Sequence, residues 1–244
     1  MKIDCYEYTN QGSRESNQDY VKIKHHNGRF MAVVCDGLGG HNGGEVASET
    51  AGEYIVNELA LLEDIDPSGI FEILQKINTD VIDMQKNQPE YNDMRTTAVG
   101  CVICEKGMYY FNVGDSRFYY FTDGIITRIT EDHSFPRMFM DAGEITFDEI
   151  RNHPDRAKLT HALGNSEQLQ NYKVIYTPPI RCKRGDAFLL CSDGFWEYVL
   201  EDEMEIDLSK AETAKDWVDY MLVRLLLRAK VDNDNFSVIG GLIR

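Results

Sequence analysis

Four acidic residues in this chain stand beside strand-like apolar segments, where a carboxylate is held in one orientation. Asp36 lies at the end of FMAVVCDG and Asp193 at the end of AFLLCSDG, and each is followed directly by glycine. Asp115 follows the strand-like MYYFNVG, and Asp234 precedes NFSVIGGLI. Rigidly held carboxylates are the oxygen ligands that hard divalent cations prefer. The pattern predicts a metal site, provided that the four acids converge.

Other interpretations of these segments are weaker when the segments are taken together. Each Asp-Gly pair alone is more typical of a turn. DNDN (232–235) is not a calcium loop, because the sixth-position Gly and the twelfth-position Glu are missing, and DGLGGHNGG (36–44) lacks the GK[ST] ending of a phosphate loop. With SRESNQD (13–19) before a strand, the joint pattern favours a two-metal hydrolytic site. Asp36 is then the natural bridging ligand, and Gly37 has no side chain to obstruct its carbonyl.

Composition excludes several partner classes. The chain has 244 residues, 43% of them hydrophobic, and a formal net charge of −16 from 41 acidic and 25 basic residues. That length supports a core for one large domain or two small ones. No Lys/Arg cluster stands out, which argues against nucleic acid, anionic membranes and a two-metal nuclease. The N-terminus MKIDCYEYTN has no signal-peptide core and no segment approaches a membrane span, so we expect a soluble, cytoplasmic protein.

The segments around the cysteines predict buried thiols. Cys35, Cys101, Cys104 and Cys191 lie in apolar, strand-like segments, which is typical of reduced core residues in an intracellular protein. Cys101 and Cys104 form a CxxC, which could indicate zinc or redox chemistry. Positions three apart in a strand face opposite sides, however, so their sulfurs should diverge.

Hydrophobic periodicity predicts many strands and three long helices. Strands are predicted at 3–9, 20–25, 29–36, 96–104, 108–113, 118–122, 125–129, 172–176, 186–191 and 235–243. Helices are predicted at 44–62, 70–86 and 211–230, with broken helical pieces in 131–163. Neighbouring strands joined by short turns indicate an α+β fold. We expect two antiparallel β-sheets packed as a central sandwich with helices on both outer faces (four-layer αββα), and the acids along one rim.

A series of segments in fixed order identifies a family. They are RESNQD, VVCDGLGGH, TTAVG, NVGDSR, EDHS, AGEIT with HPDRAKLTHALG, LLCSDGFWEYV and DNDNFSVI, and they span nearly the whole chain. Each is weak alone, and together they are very specific. On these motifs the chain resembles the metal-dependent Ser/Thr protein phosphatases of type 2C (PPM), in the bacterial style of a bare catalytic domain. The resemblance implies one catalytic domain over residues 1–244, with a variable flap at 134–163 that borders the active site.

The resemblance implies how the acids are used. Asp36 bridges two metal ions, and the Gly37 carbonyl completes the coordination of one of them. Asp193 and Asp234 hold the other ion. The expected cofactors are two Mn²⁺ or Mg²⁺ ions.

Three further residues receive roles from the same resemblance. Asp19 is expected near the ions through coordinated water. Asp115 matches the acid that in bacterial relatives helps to bind a third, weaker ion. Arg14, which alone would be an ordinary exposed arginine, matches the residue that grips the substrate phosphate, and its planar fork of donors suits two phosphate oxygens. Asp36 and Arg14 are the expected catalytic residues.

Two departures from the family pattern bear on this site. Gln18 replaces the Glu of many members, so one negative charge is lost and one metal is expected to bind more weakly. Leu38 replaces a His that protonates the leaving group in eukaryotic members, so a metal-bound water is expected to do so unless His41 reaches the site. His133 and His161 are expected to be structural or surface residues.

The implied function is hydrolysis of phosphoserine and phosphothreonine in proteins, by in-line attack of a water activated between two metals. Expected partners are phosphoprotein substrates and an opposing Ser/Thr kinase, and we expect a monomer. The alternative is a catalytically weak or inactive relative that acts as a phosphoprotein-binding regulatory module. The retained Asp36, Asp193 and Asp234 argue against that alternative.

Overall fold

Two antiparallel sheets form the centre of the fold in a computed structural model that describes residues 2–39, 43–165 and 169–244. The strands are β1 Ile3–Asn10, β2 Asp19–His26, β3 Arg29–Leu38, β4 Arg95–Thr96, β5 Ala98–Cys104, β6 Gly107–Val113, β7 Arg117–Thr122, β8 Ile125–Ile129, β9 Ile175–Ile180, β10 Ala187–Cys191 and β11 Phe236–Ile243. The helices are α1 Gly43–Leu61, α2 Pro67–Asn87, α3 Phe135–Asp141, α4 Phe147–Ile150, α5 Asp193–Trp196, α6 Glu201–Lys210 and α7 Ala214–Arg228.

The order of the strands brings the two ends of the chain together. One sheet has the order β1-β11-β10-β7-β8, and the other has the order β2-β3-β5-β6-β9, with β4 paired to β3. Every strand pair is antiparallel. The predicted α+β sandwich is confirmed.

Three apolar layers hold the sandwich together, and the alternation of side chains along each strand explains them. Val33 of β3 packs toward α1 and α2, while its neighbour Val34 packs between the sheets. Phe188 of β10 lies between the sheets, while Leu189 packs with Trp217 of α7 on the other outer face. The helices therefore cover both outer faces, as the predicted four layers require.

The cysteines follow the same alternation. Cys101 is buried between the sheets, whereas Cys104 packs on the helical side of its sheet. The predicted divergence of the CxxC pair is confirmed, and all six cysteines of the chain are free thiols.

Some element boundaries differ from the predictions for identifiable reasons. Helix α2 begins at Pro67, earlier than predicted, because Asp66 caps it by accepting from the Gly69 N–H at 2.8 Å. Strand β9 runs to Ile180 through two prolines, which an edge strand tolerates. Helix α6 was not predicted, because its sequence EDEMEIDLSK is dominated by acids. Among the helices of the described residues, none combines the length and the hydrophobicity that a membrane-spanning segment needs.

Candidate active site

Four predicted acids line one cleft at a rim of the sandwich. The cleft has a volume of about 300 Å³, and its lining includes Asp36, Asp115, Asp193 and Asp234. Asp36 lies near the end of β3, Asp115 follows β6, Asp193 begins α5 and Asp234 precedes β11. Residues spread over the whole chain thus converge because antiparallel pairing places these strand ends at the same rim. Gly37 and Arg14 line the same cleft.

Asp19 lies directly beside Asp36. The two residues face each other in the β2–β3 register. Ser192 donates from its hydroxyl to Asp19 Oδ2 at 2.7 Å, and the Ser237 N–H donates to that hydroxyl at 2.9 Å. Asp19 Oδ1 is buried and has no hydrogen-bond partner among the described residues. A buried carboxylate oxygen without a donor suits a cation ligand or a water held by one.

The electrostatics of the cleft favour bound cations. Burial raises the pKa of Asp36 well above its ordinary value, and the charges of Asp19 and Asp193 raise it further. Burial raises the pKa of Asp19 to about 7, although the neighbouring Ser237 and Ser192 lower it. Burial and the Asp193 charge also raise the pKa of Asp115. These carboxyl groups cannot all ionise cheaply without positive charge among them.

Two arginines supply part of that charge. Arg14 donates from Nε and Nη2 to the two carboxylate oxygens of Asp234, at 2.9 and 2.8 Å. Arg156 donates from Nη1 to Asp193 Oδ2 at 2.7 Å and from Nη2 to Glu197 Oε2 at 2.9 Å. These pairs direct two proposed ligands toward guanidinium groups. Among the described residues, no group of three or more His, Cys, Asp or Glu side chains has the arrangement of a metal site.

The donor groups of the cleft nevertheless suit a hard divalent cation. Its candidate donors are carboxylates and a backbone carbonyl, which suit Mg²⁺ or Mn²⁺. Gly37 allows β3 to approach the start of α1 closely: a Cβ at this position would lie 2.1 Å from the Gly44 carbonyl oxygen. The Gly37 N–H also donates to the Gln18 carbonyl at 3.1 Å.

Asn235 was missed by the sequence analysis, although it follows the DND motif directly. Its amide donates to the carbonyls of Gln11 and Ser16, at 2.7 and 2.9 Å, and its Oδ1 accepts from the Gln18 N–H at 2.8 Å. These bonds fix the loop that carries Arg14 against the Asp234 segment. Arg156 was also missed, although the quoted motif HPDRAKLTHALG contains it.

The positions that depart from the family pattern lie at the cleft. Gln18 and Leu38 both line it. His41 lies outside the described residues. His133 and His161 are buried, in agreement with a structural role, and His133 Nδ1 accepts from the Gly114 N–H at 3.1 Å.

An acid-rich cleft on the rim of an αββα sandwich, with arginines beside it, suits a metal-dependent hydrolase of anionic substrates. A family model described as protein phosphatase 2C matches residues 8–232. The chain belongs to this family of metal-dependent protein phosphatases.

Individual relatives support the same family assignment. The serine/threonine phosphatase stp of Listeria monocytogenes is 30% identical over 242 residues, covering 92% of this chain and 93% of that protein. PstP of Mycobacterium tuberculosis is 31% identical over 93% of this chain, which corresponds to 42% of PstP. The solved structure of Stp1 from Staphylococcus aureus superposes with a TM-score of 0.85 at 27% identity, covering 100% of this chain and 96% of that one. A structure of the PstP catalytic domain in complex with two manganese ions shares the fold, with a TM-score of 0.78 at 24% identity and 99% coverage of both chains.

Proposed function

We propose that this chain is a protein serine/threonine phosphatase that hydrolyses phosphoserine and phosphothreonine monoesters with the help of two divalent cations. The observation that carries the proposal is the lining of one cleft by Asp36, Asp193, Asp234 and Arg14, in a member of a protein phosphatase family. The two ions seen with PstP support the number of cofactors.

The residues of the cleft would have two roles, metal binding and phosphate binding. Asp36, the Gly37 carbonyl, Asp193 and Asp234 would hold two Mn²⁺ or Mg²⁺ ions. When bound, such ions lower the pKa of a water and neutralise phosphate charge. Arg14 would release Asp234 and bind two phosphate oxygens with its planar fork, which stabilises the charge that develops during transfer.

Two acids support this set. Asp19 would lie next to the ions, where its unpaired Oδ1 accepts from a coordinated water, and Asp115 would help to hold a third, weaker ion. Leu38 has no proton to give, so the serine or threonine leaving group would take its proton from water in the cleft.

The surroundings of the cleft extend the proposal to substrates and partners. Ala157 and Leu159 of the 134–163 segment line the cleft, which supports a flap that selects phosphoproteins. We expect a monomeric enzyme that opposes a Ser/Thr kinase. The six free thiols fit a reducing, cytoplasmic setting.

Metal removal and one substitution test the function. A chelator should abolish hydrolysis of a phosphothreonine peptide, and added Mn²⁺ should restore it. Asp36→Asn should lower kcat by about 100-fold or more at saturating Mn²⁺, because the bridging charge is lost. Phosphate release measures both effects.

Asp123→Asn is the matched control for that substitution. Asp123 lies in the β7–β8 turn at φ 53°, a conformation that Asn also adopts, so its activity should stay within about twofold of wild type. Wild-type activity in Asp36→Asn would refute the proposed role of Asp36. Metal binding by calorimetry without turnover of any phosphopeptide would instead assign the regulatory-module function.

A further inference from the structure

A groove of about 460 Å³ lies along the side of the sandwich. Its walls include residues of β8, an edge strand of one sheet, and of β9, an edge strand of the other. Tyr110 and Tyr120 line it, with Pro178 and Ile180 on the β9 side. None of these four residues lines the acidic cleft, so the groove is a separate surface.

The aromatic lining of the groove is held firmly. The ring of Tyr110 stacks between those of Phe118 and Tyr176, with centroids 4.4 and 4.8 Å away. The Tyr120 hydroxyl donates to Asp186 Oδ2 at 2.5 Å. Both rings are buried, with 5% and 2% exposed, so they form a rigid floor, and exposed Pro178 presents the apolar surface of the groove. An apolar side chain of a ligand can pack on such a preformed surface at little cost in reorganisation.

The strand edges beside the groove are poorly suited to strand addition. Pro178 and Pro179 of β9 have no N–H to donate. On β8, the Ile126 N–H already donates to Glu205 Oε1 at 2.8 Å. A ligand in this groove must therefore be recognised mainly through side chains.

The charged residues that line the groove are both basic. Arg128 and Arg181 line it and are exposed, and exposed Lys183 and Arg184 follow in the same loop as Arg181. Arg128 donates to the neighbouring Thr127 carbonyl at 2.7 Å, and over the described ranges no ion pair joins any of these four side chains to a carboxylate. In a chain with 41 acidic and 25 basic residues, this cluster attracts anions.

We propose that this groove docks an acidic segment of the phosphoprotein substrate, away from the phosphorylated residue. Acidic side chains would pair with Arg128 and Arg181, and an apolar residue between them would pack on Pro178 and Ile180. Asp115 of the cleft lies five residues before Tyr120, which corresponds to about 17 Å along an extended chain. A peptide with its acidic segment about eight or more residues from the phosphothreonine can therefore reach both sites.

The test, which rests on the proposed function, compares two phosphothreonine peptides. They share the same phosphorylated sequence and a ten-residue Gly/Ser spacer, and end in either EEFEE or QQFQQ. For the wild-type enzyme with Mn²⁺, the acidic ending should lower KM about five- to tenfold with kcat unchanged. Arg181→Glu should reduce that advantage to less than twofold and leave the turnover of p-nitrophenyl phosphate unchanged.

Lys2→Glu provides the matched control. It makes the same change in net charge at an exposed residue beside β1, at the opposite edge of the sheet from β8. This variant should keep the full preference for the acidic ending. If Arg181→Glu and Lys2→Glu lost the preference for the acidic ending equally, the proposal would be overturned. The preference would then depend on the net charge of the enzyme and not on a docked segment.

A binding measurement separates failure of docking from failure of the proposed function. Fluorescence anisotropy of the labelled spacer–EEFEE peptide, without phosphate, should show binding that Arg181→Glu weakens at least fivefold, whether or not any phosphopeptide is hydrolysed. The absence of binding, or tighter binding of a single-stranded oligonucleotide of equal charge, would overturn the proposal. So would a dimer in light scattering that Arg181→Glu dissociates, since the occupant would then be a second copy of the chain.

Discussion

The arginines of the cleft differ in how firmly they are held. The Arg14–Asp234 pair is well exposed, with 56% and 37% of the two side chains accessible, and exposed ion pairs contribute about 0–1 kcal/mol. Arg156 is 18% exposed and contacts both Asp193 and Glu197. Arg14 could therefore leave its carboxylate at low cost, as its proposed role in phosphate binding requires, whereas Arg156 is held more firmly at Asp193.

The substitution Arg14→Ala should weaken the binding of the phosphopeptide substrate with little effect on the stability of the fold. We expect the free energy of unfolding to change by less than about 1 kcal/mol, because the lost ion pair is exposed. KM for a phosphothreonine peptide should rise at least about tenfold, and Arg14→Lys should restore only part of the loss, because lysine lacks the planar fork. Urea unfolding and steady-state kinetics measure the two effects; an unchanged KM would contradict a phosphate-binding role.

Among the secondary-structure elements, a buried ion pair organises one side of the site. Arg117, at the start of β7, donates to both carboxylate oxygens of Asp132 at 2.9 and 2.7 Å, and its guanidinium lies 3.7 Å from the centroid of the Trp196 ring in α5. Trp196 in turn donates to the Asp115 carbonyl at 2.9 Å. The pair thus ties β7, α5 and the segment after β8 together around two of the proposed metal ligands, Asp115 and Asp193.

Asp132→Ala tests this junction of elements. It should lower the free energy of unfolding by about 3 kcal/mol or more, because it leaves a buried guanidinium short of its main partner. Glu131→Ala, at the neighbouring position, removes exposed pairs with Lys173 and Arg137 and should cost less than about 1 kcal/mol. Similar losses in the two variants, measured by urea unfolding, would mean that the buried pair does not stabilise the junction.

For the whole molecule, the distribution of charge links metal binding to stability. The net charge is −16, and several carboxylates with raised pKa values crowd one rim of the sandwich. The proposed ligands come from both sheets, Asp36 from one and Asp193 and Asp234 from strand ends of the other, so metal binding would depend on the same tertiary arrangement as folding. A cation bound there stabilises the complete fold and not one element.

Thermal unfolding should report this linkage without any measurement of activity. Mn²⁺ at 100 times its Kd should raise the free energy of unfolding by about 2.7 kcal/mol per site, or about 5–10 °C in Tm for a chain of this size. Sodium chloride at equal ionic strength should produce a much smaller shift. Asp36→Asn should lose most of the Mn²⁺ effect and Asp123→Asn should keep it; a full shift in Asp36→Asn would place the bound ions elsewhere.

Local patterns in the sequence determined most of the architecture. Continuous apolar runs indicate strands that are buried on both faces, so β3, β6 and β10 could be predicted from short segments. The two-residue period of a strand predicted the divergence of Cys101 from Cys104. Acids at strand ends are also visible locally, which is why the acids of the cleft could be named in advance as candidate metal ligands. The family motifs identified the type of enzyme for the same reason.

Contacts between distant segments were decided only by the tertiary structure. Arg14 meets Asp234 across 220 residues, and Asp19 faces Asp36 because of the β2–β3 register. The basic groove exists because β8 and β9, edge strands of different sheets, bring Arg128 and Arg181 to the lining of one groove. Such pairs leave no periodic signal, because they depend on sheet order and register, which follow from the packing of the whole chain and not from the residues nearby.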